Sequence, residues 1–253
     1  MKEIIDSQAL EQKAQGIINS LQETAAERKR VYPSNIDAVL VFSGPGTYYD
    51  RLKPDQEEWM RWMDRDRIRA GVALVRELTA STINDFTKAK LGVEHITEND
   101  IMNKGPFFVY NGIPVENKVL REALDSPFCK LPKDKVLIID AVRKGNTVIP
   151  IRHTGDQVQS FYQEIMNQES PLHYATNIAL VSHALHYIRI PFYISKYEND
   201  YEYALPKIKR NYYAYGLKDR PGVEEEFIKY EMERLLAYAE AGHLAAEPTP
   251  LRI

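Results

Sequence analysis

Five short apolar runs, at residues 36–42, 107–110, 136–139, 148–151 and 177–181, constrain this chain most. Each is too short for a core helix, and its branched and aromatic residues suit a strand buried on both faces. Helical spacing fills the gaps between them. Ile68, Val72, Val75 and Leu78 recur at core intervals within 64–78, and helices are also expected at 115–124 and 157–166. Strands that alternate with helices predict a parallel sheet covered on both sides, because a parallel pair needs a crossover connection. The expected fold is α/β: a three-layer α/β/α Rossmann-like sandwich with a mostly parallel sheet.

Helices are added at both ends. Residues 2–28 set Ile4, Ala14, Ile17, Ile18, Leu21 and Ala25 on one stripe, and residues 223–241 do the same with Phe227, Tyr230, Leu235 and Ala239. Residues 81–104 give no clear assignment, and 191–194 is a further short apolar run. The alternation lapses where Tyr197, Tyr201, Tyr203, Tyr212, Tyr213 and Tyr215 crowd a stretch that also holds Lys207, Lys209 and Arg210. Tyrosines at such irregular spacing suit a peripheral surface or a homo-oligomer interface, and a nucleobase or a pocket cover is the functional alternative. Pro248 and Pro250 suggest a frayed end. With 253 residues, 44% of them apolar, the chain suits one domain: a helix at 1–30, a core at 36–195, and an appended segment at 196–253.

Charge and cysteine content narrow the partners. With 33 basic and 36 acidic residues the net charge is -3, so no global field favours a nucleic acid. Cys129 is the single cysteine, which rules out an intrachain disulfide and suits a reducing, cytoplasmic setting. No apolar run reaches membrane length and the first residues do not read as a signal peptide, so a soluble protein without a membrane partner is expected.

Polar clusters follow the strands. They are Gly44 and Gly46 after the first; Asn111 and Gly112, with Glu116 just beyond, after the second; His153, Thr154 and Asp156; and His183, His186 and Arg189. In a doubly wound sheet the carboxyl ends of the strands face one crevice, so residues distant in sequence converge there. The glycines allow backbone amides to approach a phosphate at a helix N-terminus, although Gly44-Pro45-Gly46 equally makes a plain turn. His186 and Arg189, three apart, combine a proton carrier with an anion clamp, against the alternative of a capping histidine and a surface ion pair. His153 with Asp156 and His183 with His186 leave a metal reading open, since imidazole and carboxylate suit zinc, iron or manganese.

The order and spacing of these clusters resemble the YdcF/SanA/ElyC-like family over roughly residues 37–194. Arg67-Ile68 resembles its arginine-containing helix, and Tyr110-Asn111-Gly112 with Glu116 its Ser-Gly-Gly turn and following Glu. Residues 153–157, His-Thr-Gly-Asp-Gln, resemble its Asn-Thr-Tyr-Glu-Asn segment, and Val181-Ser182 with His186 and Arg189 its Val-Thr-x-x-x-His-x-x-Arg-Ala segment. His153, Asp156, Gln157 and Ile190 depart from that pattern, as a divergent soluble member would. The resemblance implies a Rossmann-like fold and an enzyme-like pocket, with an S-adenosylmethionine-type ligand among the possibilities and no cofactor specified.

Together these readings give an enzyme acting on a small phosphorylated or nucleotide-like molecule, a hydrolase or a group transferase. Gly44, Gly46, Arg67, Asn111, Gly112, Thr154, His183 and Arg189 would bind the ligand. His186 would be the general acid or base, with Glu116 or Asp156 orienting substrate or water. A non-catalytic nucleotide- or metabolite-binding protein using the same crevice, and a metal-dependent enzyme, are the alternatives.

Overall fold

The computed structural model describes residues 6–27, 33, 35–44, 54–83, 95–112, 116–124, 129–217 and 224–253. The first half runs α1 (Ser7–Glu27), β1 (Ala38–Phe42), α2 (Pro54–Thr82), α3 (Glu98–Lys104), β2 (Phe107–Asn111), α4 (Glu116–Leu124) and β3 (Val136–Ile139). A hairpin follows, β4 (Ala141–Lys144) with β5 (Thr147–Pro150), then α5 (Thr154–Met166) and β6 (Asn177–His183). A 3-10 turn (Ala184–Ile188) leads into α6 (Ile190–Asp200), β7 (Asn211–Leu217), α7 (Glu224–Glu240) and the short β8 (Leu251–Arg252).

The main sheet has six strands in the order β3-β2-β1-β6-β7-β8, and every pairing in it is parallel. The chain therefore starts in the middle, winds outward through β2 and β3, and returns to the other side of β1 with β6. This is the doubly wound Rossmann arrangement, and its point of reversal lies between β1 and β6.

Alternation along β1 explains the layers. Leu40 and Phe42 face one core with Leu10, Ala14 and Ile18 of α1, Phe161 of α5 and Leu235 of α7. Val39 and Val41 face the other, with Ile68, Leu74 and Val75 of α2 and Ile101 of α3. Successive strand residues point to opposite sides, so an unbroken apolar run is what a sheet covered twice requires. At the amino ends of the strands, Asp37 Oδ2 accepts from Thr176 N–H, Asn177 N–H and the Thr176 hydroxyl at 2.7, 2.9 and 2.9 Å, tying the entry to β1 to that of β6.

Several expectations change. Residues 148–151 belong to no parallel strand: they overlap β5, which pairs antiparallel with β4, because an apolar run carries no record of its partner. Gln163 of α5 fixes this hairpin, its Nε2 donating to the Arg143 carbonyl at 2.7 Å and its Oε1 accepting the Arg143 N–H at 2.8 Å. The apolar run 191–194 is the first turn of α6, with Pro191 near its start, where a missing N–H costs nothing.

Tyr212, Tyr213 and Tyr215 lie in β7, with Tyr212 and Tyr215 buried in opposite cores. The stretch read as an appendage thus supplies two strands of the sheet, and the chain after Pro250 pairs as β8 where fraying was expected. Of the unassigned residues 81–104, 98–104 form α3, closed by a Thr97/Asp100 capping box; 84–94 lie outside the described residues. Among the described residues no helix is long and apolar enough to cross a membrane.

Candidate active site at the β1/β6 switch point

Beyond the ends of β1 and β6 the polypeptide buries an unusual number of polar side chains. Ser43, Asp64, Arg67, Asn111, Thr154, Asp156, Gln157, Ser182, His183, His186, Arg189 and Glu231 are all buried. Burying polar groups is unfavourable unless each finds a partner, so the partners define the architecture.

His186 lies at the centre. The 3-10 turn brings its imidazole between two hydroxyls, Thr154 Oγ1 at 2.8 Å from Nε2 and Ser182 Oγ at 2.8 Å from Nδ1. The edge of Phe42 closes one side, with ring centroids 5.9 Å apart. Burial, reinforced by the Arg67, Arg189 and Arg234 guanidinium groups and by His183, holds this imidazole well below its ordinary value. His186 is therefore neutral at physiological pH, and its two nitrogens serve hydroxyl groups.

The low proton affinity has a consequence for stability. An unfolded imidazole takes up its proton near pH 6.5, whereas folded His186 does so only at lower pH. Between those points the unfolded chain binds more protons, so stability is full above pH 6.5 and falls as the solution is acidified. His153, lowered mainly by burial against the opposing pull of Asp156, acts in the same direction. Urea unfolding below pH 6.5 is expected to lose up to about 1.4 kcal/mol per pH unit more steeply in the wild type than in His186→Gln. Equal slopes would remove His186 from this account.

Two buried ion pairs flank the histidine. Arg67 of α2 lies 3.5 Å from Asp64 Oδ1, and that oxygen also accepts the Gly44 N–H at 2.7 Å, joining the exit of β1 to α2. Arg189 donates from Nε to Glu231 Oε2 of α7 at 2.6 Å, and Arg234 Nη1 lies 3.8 Å from the same carboxylate. Neither arginine is fully used: Arg67 Nε and Arg189 Nη1 are buried without a hydrogen-bond partner among the described residues.

The first turn of α5 completes the wall. His153 is its N-cap, accepting the Asp156 N–H on Nδ1 at 3.2 Å. Asp156 accepts the Arg152 N–H at 3.0 Å and meets Lys144 Nζ of β4 at 2.6 Å. Its carboxylate is thus held by the chain's own groups and organises this turn. A Cβ on Gly155 would lie 2.8 Å from the Tyr193 ring, so only glycine lets α6 pack this close. Helical geometry gives the Thr154 and Gly155 N–H groups no carbonyl within α5, leaving a positive helix end beside His186.

Asn111 and Gly112 close the β2 side. Asn111 Nδ2 donates to the Gln157 carbonyl at 2.6 Å, while Gln157 Nε2 donates to the Asn111 carbonyl at 2.7 Å and to Ser43 Oγ at 2.9 Å. A Cβ on Gly112 would lie 2.7 Å from that of Ser43, a contact only glycine avoids. These two residues lock β1, β2 and α5 together.

Gly44, Arg67, Thr154, His183, His186 and Arg189 thus gather at one end of the sheet, as expected. Gly46 lies outside the described residues, and Glu116 opens α4 with its side chain outside them. His186 engages a hydroxyl on each nitrogen. Among the described residues no three His, Cys, Asp or Glu side chains are placed to hold a metal. Asp64, Ser182, Glu231 and Arg234 were missed as site residues. The signal for Glu231 was legible, since a carboxylate four residues before Leu235 and eight before Ala239 sits on the stripe that buries α7. No family profile, curated protein or solved structure matches this chain.

Proposed function

We propose that this protein is an enzyme acting on a small phosphorylated or nucleotide-like molecule, as a hydrolase or group transferase, in the crevice at the carboxyl end of the sheet. The observation that carries this reading is the neutral His186, hydrogen-bonded to Thr154 and Ser182 and within electrostatic reach of three arginines, at the switch point where doubly wound sheets bind their ligands. Arg67, Arg189 and the α5 N-terminus attract the anionic group. His186 moves a proton through the Thr154 hydroxyl, and Gly44 shapes the approach from β1.

Membership of the YdcF/SanA/ElyC-like family belongs to the same proposal. It is supported by the gathering of Arg67, Thr154, His186 and Arg189, drawn from three of the motifs, at one end of the sheet.

A thermal-shift screen of nucleotides, sugar phosphates and S-adenosylmethionine identifies the ligand, because whatever binds the native state alone raises its melting temperature. With that ligand in hand, His186→Ala is expected to lower kcat by about 100- to 10,000-fold, beyond any accompanying loss of affinity. A loss confined to affinity favours the second reading, a metabolite-binding protein, in which the same arginines hold the ligand without turnover.

A further inference from the structure

A neutral imidazole has one donor and one acceptor nitrogen, so one of the Thr154 and Ser182 hydroxyls donates into the His186 ring and the other accepts from it. An imidazolium has two donors. A hydroxyl oxygen accepts as readily as its proton donates, so the same two contacts, each 2.8 Å, also satisfy the charged ring without moving a heavy atom. What changes is the hydroxyl proton. Once Nε2 donates to Thr154, the Thr154 O–H is released from the ring and turns outward, at the helix end where an anion is favoured.

The charges facing the ring decide when this happens. Arg67 and Asp64 come from α2, His183 from β6, Arg189 from the end of the 3-10 turn, and Glu231 and Arg234 from α7. Asp156 lies on α5 with His153 before it and Lys144 reaching in from β4. Among the described residues Arg67, Arg189, Arg234 and Lys144 outnumber Asp64, Asp156 and Glu231 by one, and this balance opposes an imidazolium. A dianion reverses that balance. Arg67 Nε and Arg189 Nη1, without a hydrogen-bond partner among the described residues, leave the guanidinium groups donor capacity.

We propose that the site binds its ligand as a doubly charged oxyanion together with one proton, carried by His186, with the Thr154 hydroxyl turned to donate to that anion. The inference rests on the anion-binding reading above and sharpens it: the ligand class is a dianion such as a phosphate monoester, in preference to a carboxylate or other monoanion.

Sulfate is the probe, because it is a dianion that does not itself titrate near neutrality. Calorimetric titration of the full chain, in buffers with different heats of ionisation, is expected to show proton uptake on sulfate binding. The association constant should rise as pH falls from 8 to 6, approaching about tenfold per pH unit at the limit of one proton. In His186→Gln the uptake disappears, whereas His153→Gln retains it. Thr154→Val, which keeps the imidazole and removes the hydroxyl, weakens sulfate binding several-fold and serves should the histidine variant fail to fold. Sulfate binding without proton uptake, or uptake that persists in His186→Gln, overturns the inference and leaves the anion site standing. Absence of sulfate binding removes the anion site and the inference with it.

Discussion

Replacing Glu231 with alanine is expected to lower the unfolding free energy by about 3 to 5 kcal/mol, because it strands the Arg189 guanidinium in a buried site. The two side chains are each 3% exposed and meet at 2.6 Å, so water cannot take the place of the lost carboxylate without opening the packing of α7 on the 3-10 turn. Arg234, at 3.8 Å from the same carboxylate, loses that ion-pair partner and keeps its hydrogen bond to the Tyr238 hydroxyl at 2.9 Å. The pair itself is worth far less than its rupture costs. Exchanging Arg189 and Glu231 together for methionine and leucine is therefore expected to recover most of the stability, since well-packed apolar groups often replace a buried ion pair at little cost. Urea unfolding of Arg189→Met, Glu231→Leu and the double variant gives the coupling directly. A loss of stability below about 1 kcal/mol in Glu231→Ala would mean that the pair is hydrated and behaves as a surface bridge.

Asp64→Ala should be comparably damaging, by about 3 to 5 kcal/mol, and it should disturb the site as well as the fold. Asp64 is wholly buried and does two things: it faces Arg67 across 3.5 Å, and it accepts the Gly44 N–H at 2.7 Å. Alanine leaves a guanidinium and a backbone amide unsatisfied together. Asparagine keeps an acceptor for the amide while losing the charge, so Asp64→Asn is expected to retain protection of the Gly44 amide from hydrogen exchange that Asp64→Ala loses. If both variants exchange that amide as slowly as the wild type, the contact does not hold the exit of β1.

Much of the sheet was legible because its central strands are unbroken apolar runs. Residues 36–42 and 177–181 became β1 and β6 almost unchanged, since strands buried on both faces leave no room for polar residues. The sequence Asn-Tyr-Tyr-Ala-Tyr-Gly-Leu of β7 escaped because tyrosine fits a core and a surface equally well. Its burial is settled by the Tyr162 and Tyr212 hydroxyls, which meet at 2.7 Å inside the protein. The motif residues Thr154, His186 and Arg189 were visible as a cluster pattern, whereas their partners were not. Ser182 and Glu231 are common residue types whose meaning comes from what the fold sets opposite them. Asp64 looked like an ordinary start to a helix whose first turn lies ten residues earlier.

The Asp37 clamp joins stretches of chain 140 residues apart, and its position bears on how the molecule assembles. β1 is made early in the chain and β6 late, and every strand pairing in the main sheet is parallel and non-local. Closing so long a loop costs entropy before any contact returns it, which makes such pairings slow steps in folding. Phe42 can meet His186 only after β1 and β6 have joined. A folding intermediate that has α2 packed on β1 and β2 would thus hold the Asp64–Arg67 pair complete, with Arg189 still in water.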